Sequence, residues 1–301
     1  MMAADNKPGA LSAVRSGLSA SARRPWLALL FFAVNLLVAA AVAAPMYSAL
    51  REHIGASIVG RDLARGFSAA WLTEFQIARA DFLSGFATAI AWAGVVFLAL
   101  NTILSAGAFE VFAQGEGAGM HAFGRGVGKY FGRFARLAVA ASVMYFVAFW
   151  VWNYAAEKLL DAMFRHAMRE AAHFYLEWAR WALLGLSLVL INAVVEFAKA
   201  EIVVSARRSA LGALGHAAGF VLRRLGAVLS MVFTLGLLST LAVLAYVVFA
   251  RYFPQSGVIT VALWFAVAQF LLWLRWMLRL ATWGAAVAYY GGHAPRQLAV
   301  E

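Results

Sequence analysis

Trp181 to Val204 reads WALLGLSLVLINAVVEFAKAEIVV. Its first eleven residues carry no charge. Asn192, Glu196, Lys199 and Glu201 then interrupt the run before the apolar character returns. A helix needs about 20 apolar residues to cross the hydrocarbon core of a bilayer. Polar groups within such a helix are costly to leave against lipid and turn toward other helices. Asn192, Glu196 and Lys199 are spaced by four and three residues, so a helix puts them on one face. At ~1.5 Å per residue, Glu196 falls ~22 Å along a helix that begins at Trp181, near the cytoplasmic boundary. The expectation is a membrane span whose polar face lies near its C-terminal end and is turned toward protein, as a packing cluster with Arg275 or Arg279 as partner; the alternative is a proton- or ion-coupled site.

Part of this pattern occurs earlier in the chain. Leu100-Asn101 and Glu110 match Ile191-Asn192 and Glu201 with the same nine-residue gap. Corresponding helices of a repeated unit are therefore expected, and Asn101, Glu110, Asn192, Glu196, Lys199 and Glu201 form the candidate polar membrane face.

Hydrophobic residues make up 64% of the 301, and the mean hydropathy is +0.78. Soluble domains hold about 45–50% apolar residues. The composition is that of a multi-pass membrane protein. The net charge of +11 reads as cytoplasmic loop charge rather than a nucleic-acid footprint. With no cysteine, disulfides, thiolate metal sites and cysteine nucleophiles are excluded. Abundant Ala, and Arg in preference to Lys, suggest a bacterial source.

Six apolar segments stand out, at about 26–44, 82–107, 137–154, 181–204, 225–250 and 258–278, the last continuing as helix to about Tyr290. The fold class is all-α: a six-span helix bundle occupying 26–290, with an amphipathic cytoplasmic segment at 1–25 and a cytoplasmic tail at 291–301. Basic residues near the membrane ends set the orientation. Lys7, Arg15, Arg23 and Arg24 precede the first span. Arg125, Lys129, Arg133 and Arg136 follow the second. Arg207, Arg208, Arg223 and Arg224 follow the fourth, and Arg275, Arg279 and Arg296 lie toward the C-terminal end. Both termini are expected in the cytoplasm of a bacterial inner-membrane protein. Ala41-Val42-Ala43 resembles a signal-peptide cleavage site, but the apolar run is long and Pro45 sits beside it, so the first span is expected to remain uncleaved.

A short amphipathic stretch precedes each odd-numbered span. Before the first, Leu11, Val14 and Leu18 oppose Ser12, Ser16, Ser19 and Arg23. Before the third, Phe123, Val127, Phe131 and Phe134 oppose Arg125, Lys129, Arg133 and Arg136. Before the fifth, Leu211, Leu214 and Leu222 oppose His216, Gly219 and Arg223. A basic face opposite aromatic or aliphatic residues is the pattern of an interfacial helix. Three repeats of interfacial helix plus transmembrane hairpin are expected, and a shift of 200 residues aligns Ala10-Leu11, Ala13 and Arg23-Arg24 with Ala210-Leu211, Ala213 and Arg223-Arg224. Arg125, Lys129, Arg133, Arg136, Arg223 and Arg224 are the candidate residues for anionic lipid headgroups.

Residues 155–180 have a separate pattern, with Phe164, Phe174 and Trp178 opposite Asp161, Arg165 and Glu177. This reads as a helix lying on the outer membrane surface or capping the bundle. Residues 46–81 read as one or two less regular helices, the second starting at Ser68 or at Thr73, which has Gln76 at capping-box spacing. Small-residue stripes at Gly85, Ala89 and Ala93, and at Gly226, Ser230 and Thr234, suit close helix contacts.

Other chemistry is weakly encoded. His166, Glu170, His173 and Glu177 have metal-compatible spacing, but alternating charge on a surface helix reads as a solvated face. Gly124, Gly126 and Gly128 before Lys129 lack the P-loop pattern. Neither H-E-x-x-H nor G-x-S-x-G occurs. No cofactor is expected.

The six-span layout, the entry SALGALGHAAGFVLRRLGAVL into the fifth span and GKYFGRFARL into the third resemble a broad group of uncharacterised bacterial inner-membrane proteins. They are also similar to the membrane domains attached to some glycerophosphodiester phosphodiesterases. That resemblance implies a non-catalytic membrane module and carries over no catalytic residue. The expected role is a scaffold or accessory subunit in envelope or lipid homeostasis, with membrane lipids and protein partners or further copies of itself around it. The rival is a permease using the polar ends of the second and fourth spans.

Overall fold

The structure is a computed structural model that describes residues 8–55, 68–158, 170–252 and 257–293. Among these residues there are nine α-helices, one short π turn and no strand. We number them α1 (Ala10–Ala22), α2 (Pro25–Ile54), α3 (Ala69–Ala78), α4 (Ala80–Gln114), α5 (Met120–Trp150), α6 (Glu170–Val204), α7 (Ala210–Arg223), α8 (Leu225–Tyr252) and α9 (Val258–His293). Six of them, α2, α4, α5, α6, α8 and α9, are long and apolar enough to cross a membrane. This is an all-α, multi-pass membrane architecture.

The helices run further than hydropathy marks them. α2 passes through Pro45 to Ile54, so much of the segment placed after the first span belongs to it. α5 joins the expected entry stretch and third span in one helix, followed by the π turn at Val151–Ala155. Residues 170–180 extend α6 rather than forming a separate surface helix; residues 159–169 of that segment, His166 included, lie outside the described residues, as do the side chains of Glu170 and His173. The helix is interrupted between α1 and α2, at residues 23–24, and between α7 and α8, at Arg224. Pro25 begins α2, where its missing N–H costs no helical bond. Ser68 caps α3 by accepting from the Trp71 N–H, while Thr73 lies inside that helix with its hydroxyl donating to the Ala69 carbonyl.

The chain divides into two compact units, 29–101 and the remainder. In the first, α3 is held to the end of α2: Arg79 pairs with Glu52 at 3.3 Å, and the His53 ring meets Trp71 and Phe75 edge-on. Asn101 donates to Asn35 at 3.3 Å.

The second unit is built on close approaches. α1 docks on α9 with Ala13, Val14, Gly17 and Ser21 buried, and the Ser21 hydroxyl donates to the Met277 carbonyl at 2.8 Å. A Cβ on Gly17 would stand 2.3 Å from the Ala281 carbonyl oxygen, so only glycine permits this contact. The N-terminal part of α5 docks on the end of α4 in the same manner. There a Cβ on Gly126 would stand 2.9 Å from the Ala106 oxygen and 2.5 Å from the Glu110 Cβ. α7, capped by Ser209, docks on α6 with Ala210, Ala213, Ala217 and Val221 buried. Between these seams an aromatic core forms, with Phe109 against Phe134 and Trp283, and Phe197 against Phe220 and Tyr289.

This corrects the reading of the entry stretches. Phe123 and Phe134 are buried against protein and do not sink into the interface; of that set only Phe131 is exposed. In α1 and α7 the protein-facing side is the small-residue stripe, and Leu11, Leu211 and Leu222 point outward. At Gly85 and Gly226 an added Cβ would have no atom within 4 Å among the described residues.

Candidate functional site

Three helices meet at the polar face of α6. Asn192 and Glu196 lie one turn apart and both face α9. Arg279 of α9 reaches Glu196 at 3.0 Å and donates to the Asn192 side-chain oxygen at 3.2 Å. Asn192 and the Trp283 indole N–H each donate to the same Glu196 oxygen at 3.3 Å. Glu196 is only 5% exposed, so these donors replace the water it lacks. The expected face toward protein is therefore observed, with Arg279 as the partner. The Lys199 ammonium lies 5.7 Å from the Phe134 and Trp283 ring centroids, at the long end of cation–π attraction.

The remaining residues of the candidate polar face are distributed elsewhere. Asn101 pairs with Asn35 and with the Phe97 carbonyl within its own unit. Glu110 and Glu201 sit under the docked helices. Glu110, 7% exposed, accepts from Gln114 and has Arg125 at 3.7 Å. Glu201, fully buried, has Arg207 at 2.9 Å and His216 at 4.0 Å. In both cases a basic residue on or just before the docked helix stands over a buried acid.

The basic residues divide by role. Arg133 turns inward: it donates to the Arg207 carbonyl at 3.1 Å and lies over the Tyr130 ring. Arg24 does likewise, donating to the Gly115 carbonyl, while Arg23 pairs with Glu116. Burial, and after it the charge of Arg23, lowers the Arg24 pKa from its ordinary value. Arg125, Lys129 and Arg136 are exposed along α5, and Arg223 is exposed at the end of α7. Arg224 lies over the Phe220 ring at 4.4 Å.

Two cavities open beside the docked helices. One, of about 490 Å³, is bounded by Glu201, His216, Arg223, Arg224, Tyr290 and His293. The other, of about 280 Å³, is bounded by Ser16, Ser19, Arg23, Arg24, Gly115 and Glu116. The first carries an excess of cationic groups over its single acid, and guanidinium is the side chain best shaped for phosphate oxygens. No group of three or more metal-ligating side chains occurs among the described residues.

Trp283 and His293 were not singled out by sequence; His216 entered only as part of the polar side of the stretch before the fifth span, and Tyr290 only as a helix limit. Trp283 had a signal: Arg275, Arg279 and Trp283 follow one another at four-residue steps and so share a helix face. His293 had none, since only the fold brings it to α7.

Comparison with family models, with curated proteins and with solved structures finds no match for this chain.

Proposed function

We propose that this is a non-enzymatic protein of the bacterial inner membrane, with both termini cytoplasmic, that holds anionic lipid headgroups at its cytoplasmic end. Its role is that of a scaffold or accessory subunit in envelope or lipid homeostasis, as its resemblance in layout to phosphodiesterase-attached membrane domains suggests. The observation that carries the reading is the cavity of about 490 Å³ walled by His216, Arg223, Arg224 and His293 at the end of α7. Exposed Arg125, Lys129 and Arg136 lie on a docked helix of the same kind. Each basic residue near an anionic surface contributes about 1 kcal/mol, so several together give useful retention. Such a cluster also satisfies the positive-inside rule, which supports the cytoplasmic assignment.

The reading includes three repeats, each an entry helix followed by a hairpin. Its support is positional. Ala13, Ala122 and Ala213, then Gly17, Gly126 and Ala217, then Ser21, Tyr130 and Val221 are buried at matching steps along the three entry segments. Each segment docks on the second helix of the preceding hairpin, α1 on α9, α5 on α4 and α7 on α6, in cyclic order. Gly115 and Ala206, five residues after Glu110 and Glu201, both have positive φ, 79° and 50°.

The test replaces Arg125, Lys129, Arg136, Arg223 and Arg224 by Gln and leaves the inward-turned Arg133 in place. Native mass spectrometry then compares retained phosphatidylglycerol and cardiolipin, after topology is shown unchanged. Reduced retention is expected. Equal retention would leave these charges as topology signals alone.

A further inference from the structure

A third cavity, of about 450 Å³, opens between α6, α8 and α9. Asn192, Glu196, Ser239, Arg275, Arg279 and Thr282 supply its polar wall; Val232, Leu235 and Leu272 supply much of the apolar wall. Pockets for small ligands are typically ~300–1,000 Å³, mostly apolar with a few placed polar groups.

The charges do not balance. Glu196 and Arg279 cancel as a 3.0 Å ion pair, and the Glu196 oxygen already accepts from Asn192 and Trp283. That oxygen is therefore committed, and with Arg279 beside it the acid is a poor seat for a cation. Arg275, one turn earlier on α9, lines the same cavity, is exposed, and has no hydrogen bond or ion pair among the described residues. It lies inside a membrane-spanning helix. Arg275 stands ~25 Å along α9 from Val258, toward the cytoplasmic boundary, where an unpaired arginine costs less than the ~2.5–3.5 kcal/mol of a span centre, and an anion at its guanidinium relieves that cost. The cavity has room at its flank: Gly236 is exposed, and a Cβ there would meet nothing within 4 Å.

We propose that this cavity binds the head of an acidic amphiphile, with its phosphate or carboxylate on Arg275 and its hydrocarbon chain along Leu235 and Leu272. A guanidinium presents paired donors to either oxyanion, and Arg275 is the charge in this cavity without a counter-charge among the described residues, so a head of net negative charge is favoured over a zwitterionic one. The site is separate from the headgroup cavity at α7 and does not rest on it.

The experiment uses the full chain in mild detergent. Oleate and phosphatidylglycerol are titrated separately against a bound fluorescent fatty acid, with phosphatidylcholine as the neutral-headed comparison. Displacement by oleate or by phosphatidylglycerol, but not by phosphatidylcholine, is expected, and which of the two succeeds identifies the source of the anion. Arg275→Gln should weaken binding at least tenfold. Gly236→Leu should block binding while Arg275 stays in place, and it reads the same question should Arg275→Gln fail to fold. Parent-like binding by whichever of these variants is folded, or no binding of either acidic amphiphile by the parent, overturns the proposal. The Gln variants of α5 and α7 should bind in this cavity as the parent does.

Discussion

In α4 every residue from Leu104 to Phe112 is buried, whereas none from Ala80 to Leu100 is. α6 repeats the contrast: Ala193 to Ala198 are all buried, but only Arg180 and Leu184 are buried between Phe174 and Asn192. In α9 the stretch Trp283 to Val287 is buried, and between Val258 and Arg279 only Trp264 is. The same helices thus obey two rules along their length. Where a side chain faces acyl chains, being apolar is enough, because lipid is as apolar as leucine. Where helices must meet without a hydrophobic drive, small residues that allow close approach are required.

If that division holds, leucine should be tolerated at one end and not at the other. Gly17→Leu would force atoms into the Ala281 and Ala285 backbone and should detach α1 from α9, lowering stability by about 1–3 kcal/mol or more. Gly85→Leu, in open space, should change it by less than about 0.5 kcal/mol. Thermal unfolding in one detergent compares the two; equal losses would erase the distinction.

A smaller effect is expected at the polar joint between the two regimes. The Glu196–Arg279 pair is buried on the glutamate side and half-open on the arginine side, so screening reduces its worth. A double-mutant cycle with Glu196→Gln and Arg279→Gln should give a coupling near 1 kcal/mol, within the range for contacting residues. A coupling of zero would show that Asn192 and Trp283 hold Glu196 without help.

The smallest effect sharpens the comparison from the loop side. Ala206 adopts φ 50°, where Gly115 at the matching position adopts 79°. The left-handed region costs a non-glycine residue about 1–2 kcal/mol, partly offset by the greater unfolded-state freedom of glycine. Ala206→Gly should therefore stabilise by a few tenths to about 1 kcal/mol, measured by the same unfolding assay. A destabilised variant would remove Ala206 as a strained position.

The two rules also explain what was legible. The six spans are long runs of one property, so hydropathy located them, although it missed their helical continuations at 46–54 and 170–180. The Asn192, Glu196 and Lys199 spacing placed Glu196 against protein because polar atoms in a span have few places to go. The docking faces were misread. Ala13, Gly17 and Ser21 are neither apolar enough nor charged enough to stand out beside Leu11 and Arg15, yet they form the contact. The shared cavity of His293 with Arg223 and Arg224 spans the fold and leaves no local trace.

The assignment of the docked end to the cytoplasm is tested most directly by single cysteines, since the chain has none of its own. Ser209 caps α7 at the docked end, and Gly257 precedes α9 at the other; both are exposed. In intact cells an impermeant thiol reagent should label Gly257→Cys and spare Ser209→Cys, with the order reversed in inverted vesicles. Labelling of Ser209→Cys from outside intact cells would contradict the assignment and place the basic cavity away from the anionic cytoplasmic leaflet.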